Sequence, residues 1–229
     1  LPRRTRPFSM GVSPLQGDIE MRKIAVVTGA AGGLGRAMVD ALRNQGAHVI
    51  GFDLQPSDAD QSIEIDLTDP SAIIAAFADI QATHGGLDAL VNNAGTCFMS
   101  DFPDIPTDEF DAQMKVNFHS TFHCCQAAIP LMLPRPCVKK IVNISSNGAY
   151  NFDVFDPPHY RASKAAMDTL TKDLARRYAT QKIAVNSIAP AMTETPLFGV
   201  LDDETLAKAI AAMPHGTAMQ PAQIAAWVA

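Results

Sequence analysis

The chain has 229 residues, enough for one α/β domain with a substantial core and short for two. Its 47% hydrophobic and 18% charged residues are those of a globular protein. A formal charge of −6 excludes a nucleic-acid binder with a basic face, and no apolar run approaches the ~20 residues that cross a bilayer, so a soluble protein with a small-molecule ligand is expected.

Residues 1–22 stand apart: LPRRTRPF is rich in Arg and Pro and has no apolar core of a secretory signal. The stretch reads as a disordered or extraneous arm, with Met21 offering a start, or as a contact segment; the domain itself spans 23–229. KIAVVTGA (23–30) is apolar and β-branched, ends in glycine, and reads as a buried strand. Leu34, Ala37, Met38, Ala41 and Leu42 follow at helical spacing until Gly46. HVIGFD (48–53) and SIEIDL (62–67) read as the second and third strands. Asp69-Pro70 is an N-cap followed by proline in the first helical position, opening a helix that ends before Gly85-Gly86.

LDALVNNAG (87–95) is the fourth strand, and a helix from about Thr107 runs through Asn117 toward Leu133. VKKIVNISS (138–146) and KIAVNSIAP (182–190) are the fifth and sixth strands, separated by a helix from about Tyr160 to Tyr178. Strands alternating with helices at this spacing imply right-handed βαβ units. The fold expected is a single-domain α/β protein with a Rossmann-type, doubly wound parallel sheet.

Cys97, Cys124, Cys125 and Cys137 form no CxxC pair, which suits neither a disulfide framework nor zinc, and points to reduced thiols in a cytoplasmic protein. The six histidines show no metal-ligand spacing, so no metal is expected.

Thr28-Gly29-Ala30-Ala31-Gly32-Gly33-Leu34-Gly35 sits between the first strand and the first helix. Glycines there let the backbone approach a pyrophosphate whose charge the helix N-terminus favours; as a plain tight turn the segment would carry no function. Asp53 ends the second strand 18 positions after Gly35, where a carboxylate hydrogen-bonds ribose hydroxyls and repels a 2′-phosphate. With only Arg36 just beyond the turn, NAD is expected over NADP.

These residues resemble the short-chain dehydrogenases/reductases. The glycine turn is similar to that family's TGxxxGxG, Asn92-Asn93-Ala94-Gly95 to its NNAG element, and Tyr160-Arg161-Ala162-Ser163-Lys164 to its YxxxK. Ser146 precedes the tyrosine at nearly the family distance, and Asn117 sits in a similar VNF context. The resemblance covers 23–229 and implies four catalytic residues, Asn117, Ser146, Tyr160 and Lys164. It implies cofactor contacts from Gly29, Gly33, Leu34, Gly35, Asp53, Asp66, Leu67, Asn93, Ala94, Gly95, Pro190 and Thr195, besides Tyr160 and Lys164, and a structural part for Asn92.

Tyr160 and Lys164 are four apart and share a helix face, so an ammonium would favour the phenolate of a residue that ordinarily titrates near pH ~10. Ser146 would stabilise charge on the substrate oxygen, and Asn117 would interrupt its helix to hold a water in a proton relay. The chain departs from the family in having Pro190-Ala191 for Pro-Gly, in a serine-to-tyrosine stretch about one residue longer, and in lacking a final strand after QPAQIAAWVA.

Substrate contacts are expected from the loop after Gly95, from 147–159, and from a lid over 192–214 carrying Leu197, Phe198, Val200 and Leu201. Cys97, Phe98, Tyr150, Phe152 and Phe155 read equally as pocket or core, and His159 as a substrate contact. Three functions compete: an NAD-dependent dehydrogenase of a polyol, hydroxy acid or cyclic alcohol; a 3-oxoacyl-thioester reductase; and an idle dinucleotide-binding sensor. The resemblance also implies a homodimer or homotetramer formed through the helices bearing Asn117 and Tyr160.

Overall fold

The buried runs of the sequence form six strands: β1 (Ile24–Thr28), β2 (His48–Asp53), β3 (Gln61–Glu64), β4 (Ala89–Asn92), β5 (Lys139–Ile144) and β6 (Ile183–Ile188). This is seen in a computed structural model that describes residues 22–151 and 156–229. The strands make one sheet in the order β3-β2-β1-β4-β5-β6, every neighbouring pair parallel. The chain starts at the centre, winds outward to β3, then crosses back to β4. The order therefore reverses between β1 and β4, and the expected doubly wound, Rossmann-type fold is present. In such a sheet the crevice lies beyond the carboxyl ends of the strands at that reversal.

Helices cover both faces. On one side α2 (Pro70–His84), α4 (Ser120–Met132) and α5 (Pro158–Tyr178) bury Ile73, Phe77, Ile80, Cys124, Cys125, Met132 and Leu174 against the sheet. On the other, α1 (Gly33–Asn44) and α7 (Pro221–Val228) bury Met38, Val39, Leu42, Ile224 and Val228. Strands so covered on both faces are largely apolar, as β1 is from Ile24 to Val27, with every residue buried. No helix among the described residues is long and apolar enough to cross a membrane.

The local signals behave as chemistry dictates. Asp69 accepts from Ser71 N at 2.8 Å with Pro70 in the first turn, and α2 ends at Gly85, φ +72°. Two elements differ from the sequence reading. β3 stops at Glu64 rather than Leu67, because the Asp66 carboxylate draws Thr68 N and Oγ1 to 2.8 Å and turns the chain. The helix expected from Thr107 to Leu133 is three pieces: α3 (Thr107–Met114), a π segment at Lys115–His119, and α4. The wider turn is centred on Asn117, as expected of an interruption there, and such bulges recur at functional sites. α6 (Asp203–Ala211) follows a short 3₁₀ turn at Pro196–Val200. Of the amino-terminal arm read at 1–22, only Arg22 lies within the described residues; its guanidinium donates to Gly46 O and Ala47 O.

At the opposite edge from the crevice, Asp88 is 4% exposed and clasps Arg135 in a bidentate pair of 2.8 and 2.6 Å. It also accepts from Ile24 N at 2.8 Å, tying the start of β1 to the end of α4. Burial by itself would raise the Asp88 carboxyl, but Arg135 and the Ile24 N–H hold it below the usual carboxylate range. A depressed folded pKa stabilises the fold above the unfolded value and loses that contribution as pH falls through the folded one. Arg135→Ala strands a buried charge. It should lower unfolding free energy in urea by about 3 kcal/mol at pH 7, and the difference from wild type should shrink below about pH 4.

Candidate active site at the carboxyl edge of the sheet

The ends of β1, β4 and β5 are joined by side chains. Thr28 Oγ1 accepts from Asn93 N (2.9 Å) and Ala94 N (3.0 Å), while Asn93 Nδ2 donates to Thr28 O (3.0 Å) and Gly29 O (3.1 Å). Below them Asn92 Nδ2 donates to Asn143 Oδ1, and Asn143 Nδ2 to Thr171 Oγ1, both at 2.8 Å. The asparagine pair thus locks β4 to β5 and to α5.

On this platform the glycine turn is tightly built. Gly29 has φ +66°, and a Cβ there would lie 2.9 Å from Ala94 Cα. A Cβ on Gly35 would lie 1.9 Å from Gly29 O. Those two positions demand glycine. The first turn of α1 has neither an acidic residue nor a side-chain cap, so no side chain satisfies its leading N–H groups. Asp53 accepts from Ala31 N at 2.9 Å and Gln55 N at 3.1 Å, which orients its carboxylate at the rim of the turn.

A cavity of about 770 Å³ runs from this turn across the sheet edge. Its walls carry Gly29, Gly33, Leu34, Gly35, Asp53, Asn93, Ala94 and Gly95, then Ser146, Tyr160 and Lys164, and finally Pro190 and Thr195. Ser146 leaves β5 in extended conformation and accepts from Gly148 N at 3.1 Å. Its hydroxyl meets the Tyr160 phenol and favours the phenolate, but burial is the larger effect and holds Tyr160 well above an ordinary tyrosine. Lys164 Nζ donates to Ile144 O at 2.8 Å and stands 5.9 Å from the Tyr160 ring centre. Burial pulls its ammonium down to about 8. The expectation that the lysine charge acidifies the phenol is thus outweighed here: removing both groups from water favours the neutral form of each.

Asn117, Asp66 and Leu67 do not line the cavity. Asn117 is fully buried behind Gly95. Its amide donates to Thr96 O (2.9 Å) and Ser163 Oγ (3.0 Å), and its Oδ1 accepts from Thr96 N (2.8 Å). It therefore pins the loop that follows Gly95. Asp66 is spent on its own turn, and Leu67 is in the core.

Met192, Leu197, Leu201, Met213 and Pro214, from the stretch expected to form a lid, line one side of the cavity, and Cys97, Asn147, Asn151 and Asp156 the other. Phe152 and Phe155 lie outside the described residues, as do the side chains of Phe198 and Val200. Phe98 and Tyr150 lie off the wall, and so does His159, against the sequence reading. The helix turns His159 away from Tyr160 toward α3, where its Nε2 is 3.1 Å from Glu109 Oε1 at an angle short of a hydrogen bond. Sequence reasoning also passed over Ser145 and Asp168, whose side chains meet at 2.8 Å beneath Lys164. The i, i+4, i+8 spacing of Tyr160, Lys164 and Asp168 was the available signal. Among the described residues no three His, Cys, Asp or Glu side chains gather as a metal set.

The family and the fold also emerge from comparison with known proteins. The profile of the short chain dehydrogenase family matches residues 23–205. The 3-oxoacyl-[acyl-carrier-protein] reductase FabG of Vibrio cholerae is 31% identical over 217 residues, covering 90% of this chain and 88% of the relative. The oxidoreductase YxbG of Bacillus subtilis is 36% identical over 194 residues, covering 78% and 70%. Among solved structures, ligand-free aldohexose dehydrogenase of Thermoplasma acidophilum superposes with TM-score 0.82 at 28% identity, covering 90% of this chain and 85% of that one. The RhlG/NADP complex of Pseudomonas aeruginosa does so with TM-score 0.83 at 26%, covering 90% and 87%.

Two glycine substitutions test the cradle. Gly35→Ala should weaken NADH binding, followed by fluorescence titration, by about tenfold or more (~1.4 kcal/mol) while far-ultraviolet dichroism stays native. Gly32→Ala, whose Cβ would meet only Gly29 O at 3.4 Å, should bind almost as wild type does.

Proposed function

Since the chain belongs to the short-chain dehydrogenase family of oxidoreductases, which bind a nicotinamide dinucleotide, we propose that it moves a hydride between NAD(H) and a secondary alcohol/ketone pair. The observation that carries this reading is one cavity lined by both the glycine cradle with Asp53 and the Ser146, Tyr160 and Lys164 trio. The cradle fits the dinucleotide: side chains larger than hydrogen are excluded at Gly29 and Gly35, and an uncapped helix N-terminus faces the same space.

The bound nicotinamide supplies the hydride acceptor or donor and, when oxidised, a positive charge beside Tyr160. That charge would favour loss of the phenol proton against the burial that opposes it. The Tyr160 phenolate would then take the alcohol proton during oxidation, and the neutral phenol would return it during reduction. Ser146 hydrogen-bonds the substrate oxygen where charge develops. Lys164 would hold the nicotinamide ribose and Pro190 and Thr195 would contact the nicotinamide end of the dinucleotide, while Asn117 acts by fixing the Gly95–Thr96 backbone rather than by touching substrate. Asp66 and Leu67 are kept as adenine-side contacts on the family pattern alone.

Asp53 at the rim of the glycine turn supports NAD over NADP, since a carboxylate there would accept from ribose hydroxyls and repel a 2′-phosphate. For the substrate, a polar wall of Asn147, Asn151 and Asp156 opposite an apolar lid fits a neutral polyol or cyclic alcohol. The second reading, a 3-oxoacyl-thioester reductase, draws on the likeness to FabG and on the apolar lid, which also suits an acyl chain. Asp202, Asp203 and Glu204 beside the lid, where a basic patch would receive an acyl carrier, weigh against it. Assembly through the helices bearing Asn117 and Tyr160 is part of the same proposal, supported by Phe110 and Phe122, which are 44% and 41% exposed on α3 and α4. Free thiols at all four cysteines fit a reducing cytoplasm.

Absorbance at the NADH band with a panel of sugars, polyols, cyclic alcohols, hydroxy acids and 3-oxoacyl thioesters decides among these. Turnover with a neutral alcohol is expected, and Tyr160→Phe should reduce it by about 10²–10⁴-fold. A wild-type protein that binds NADH and turns over nothing would make it a sensor. In the same assay kcat/KM should favour NAD over NADP by about tenfold or more, and Asp53→Ser should narrow that ratio by at least ~1.4 kcal/mol. Preference for NADP in the wild type would overturn the choice of coenzyme.

A further inference from the structure

Tyr160, Lys164 and Asp168 stand one turn apart on the face of α5 that packs over the end of β5, and all three are buried. The first two belong to the site proposed above. Asp168 does not line the cavity, and no step of the proposed reaction uses it. A carboxylate is seldom buried without a charge or several donors to compensate it. Asp168 Oδ2 accepts from Ser145 Oγ at 2.8 Å, whereas its Oδ1 is fully buried and has no hydrogen bond among the described residues.

Lys164 presents the complementary problem. Its ammonium donates to one neutral acceptor, Ile144 O, and the buried carboxylate nearest along α5 is that of Asp168, one turn on. Ser145 Oγ lies 2.8 Å from Asp168 Oδ2 and 3.5 Å from the backbone carbonyl of Lys164, which places the carboxylate on the same side of the helix. We propose that Asp168 is a positioning residue for the proposed reaction, its carboxylate held by Ser145 as the buried counter-charge that keeps Lys164 protonated. This rests on the reading of Lys164 as the ribose-holding cation.

The other titratable groups around Lys164 do not replace it. Burial pushes the Cys97 thiol, on the loop after β4, up to about 12, so it is neutral at working pH. Tyr160 is likewise held neutral. Asp156 sits across the cavity against Gly148. Tyr150, from the turn after β5, is raised chiefly by hydrogen-bonding Asp168, so it gives the carboxylate a second hydroxyl donor besides Ser145 but no charge. Burial draws Lys164 down to about 8, and Asp168 is the first force opposing that fall.

The test uses protein labelled with [13Cε]lysine, with the Lys164 resonance assigned by Lys164→Met, titrated by NMR without substrate. Asp168→Asn keeps the shape and the acceptor for Ser145 but removes the charge. It should lower the Lys164 midpoint by about 1–3 pH units, while Ser145→Ala should leave it much nearer wild type. A folded Asp168→Asn protein with an unmoved midpoint overturns the proposal. If Asp168→Asn does not fold, Lys164→Met with Asp168→Asn is the deciding variant. Its folding is expected if the carboxylate serves the lysine, and its failure to fold means that the carboxylate serves Ser145 and Tyr150 instead. The titration needs neither turnover nor dinucleotide, so loss of the hydride-transfer reading through an inert Tyr160→Phe phenotype would leave its outcome separately readable.

Discussion

The site depends on how the carboxyl ends of β1, β4 and β5 are joined. Parallel strands pair through the backbone only as far as their ladders run, and at the ends the N–H and C=O groups must find other partners. Thr28 and Asn93 meet that need reciprocally: one hydroxyl accepts two amides and one amide serves two carbonyls. A half-satisfied set of such groups would be costly, so the arrangement has little freedom. It sets the height of the glycine turn against the Asn93–Gly95 loop to within a hydrogen-bond length. Everything that faces the cavity is referenced to that joint.

The second layer is electrostatic. α5 carries a phenol, an ammonium and a carboxylate in successive turns, all out of water. Desolvation moves Tyr160 up and Lys164 down, so neutrality is favoured at both. Protonation at such a site is governed by the few charges the fold admits, more than by the bulk pH scale of free side chains. The chain admits them sparingly. Asp53 guards one end of the cavity and Asp156 the other, while the basic side chains Arg36 and Arg43 stay on the outside, near Asp58 and Asp60. A charged ligand therefore meets a field set by very few residues.

Much of this was legible in the sequence because the signals are local. Buried strands read as apolar β-branched runs, Asp69-Pro70 and Gly85 as helix ends, and Tyr160 and Lys164 as neighbours on a helix. Glycine at 29 and 35 was legible as a turn, although the reason each is required, contact with Ala94 and with Gly29 itself, is a tertiary one. The misreadings share a cause. His159 faces Glu109 because the start of α5 packs on α3, and β3 ends early because Asp66 prefers to cap its own turn. Neither competition leaves a periodic trace.

The sequence by itself determined the alternation of strands and helices, the glycine-rich turn between the first strand and the first helix, and the spacing that puts Tyr160 and Lys164 on one face. Those follow from backbone sterics and from periods of two and 3.6 residues, which act over a few positions. Only the tertiary structure decided that Thr28 meets Asn93, that Asn117 serves Thr96 from behind the wall, and that the buried Asp168 carboxylate meets Ser145 at the end of β5. Such contacts depend on burial and on the register of parallel strands, quantities that exist only once distant segments have packed.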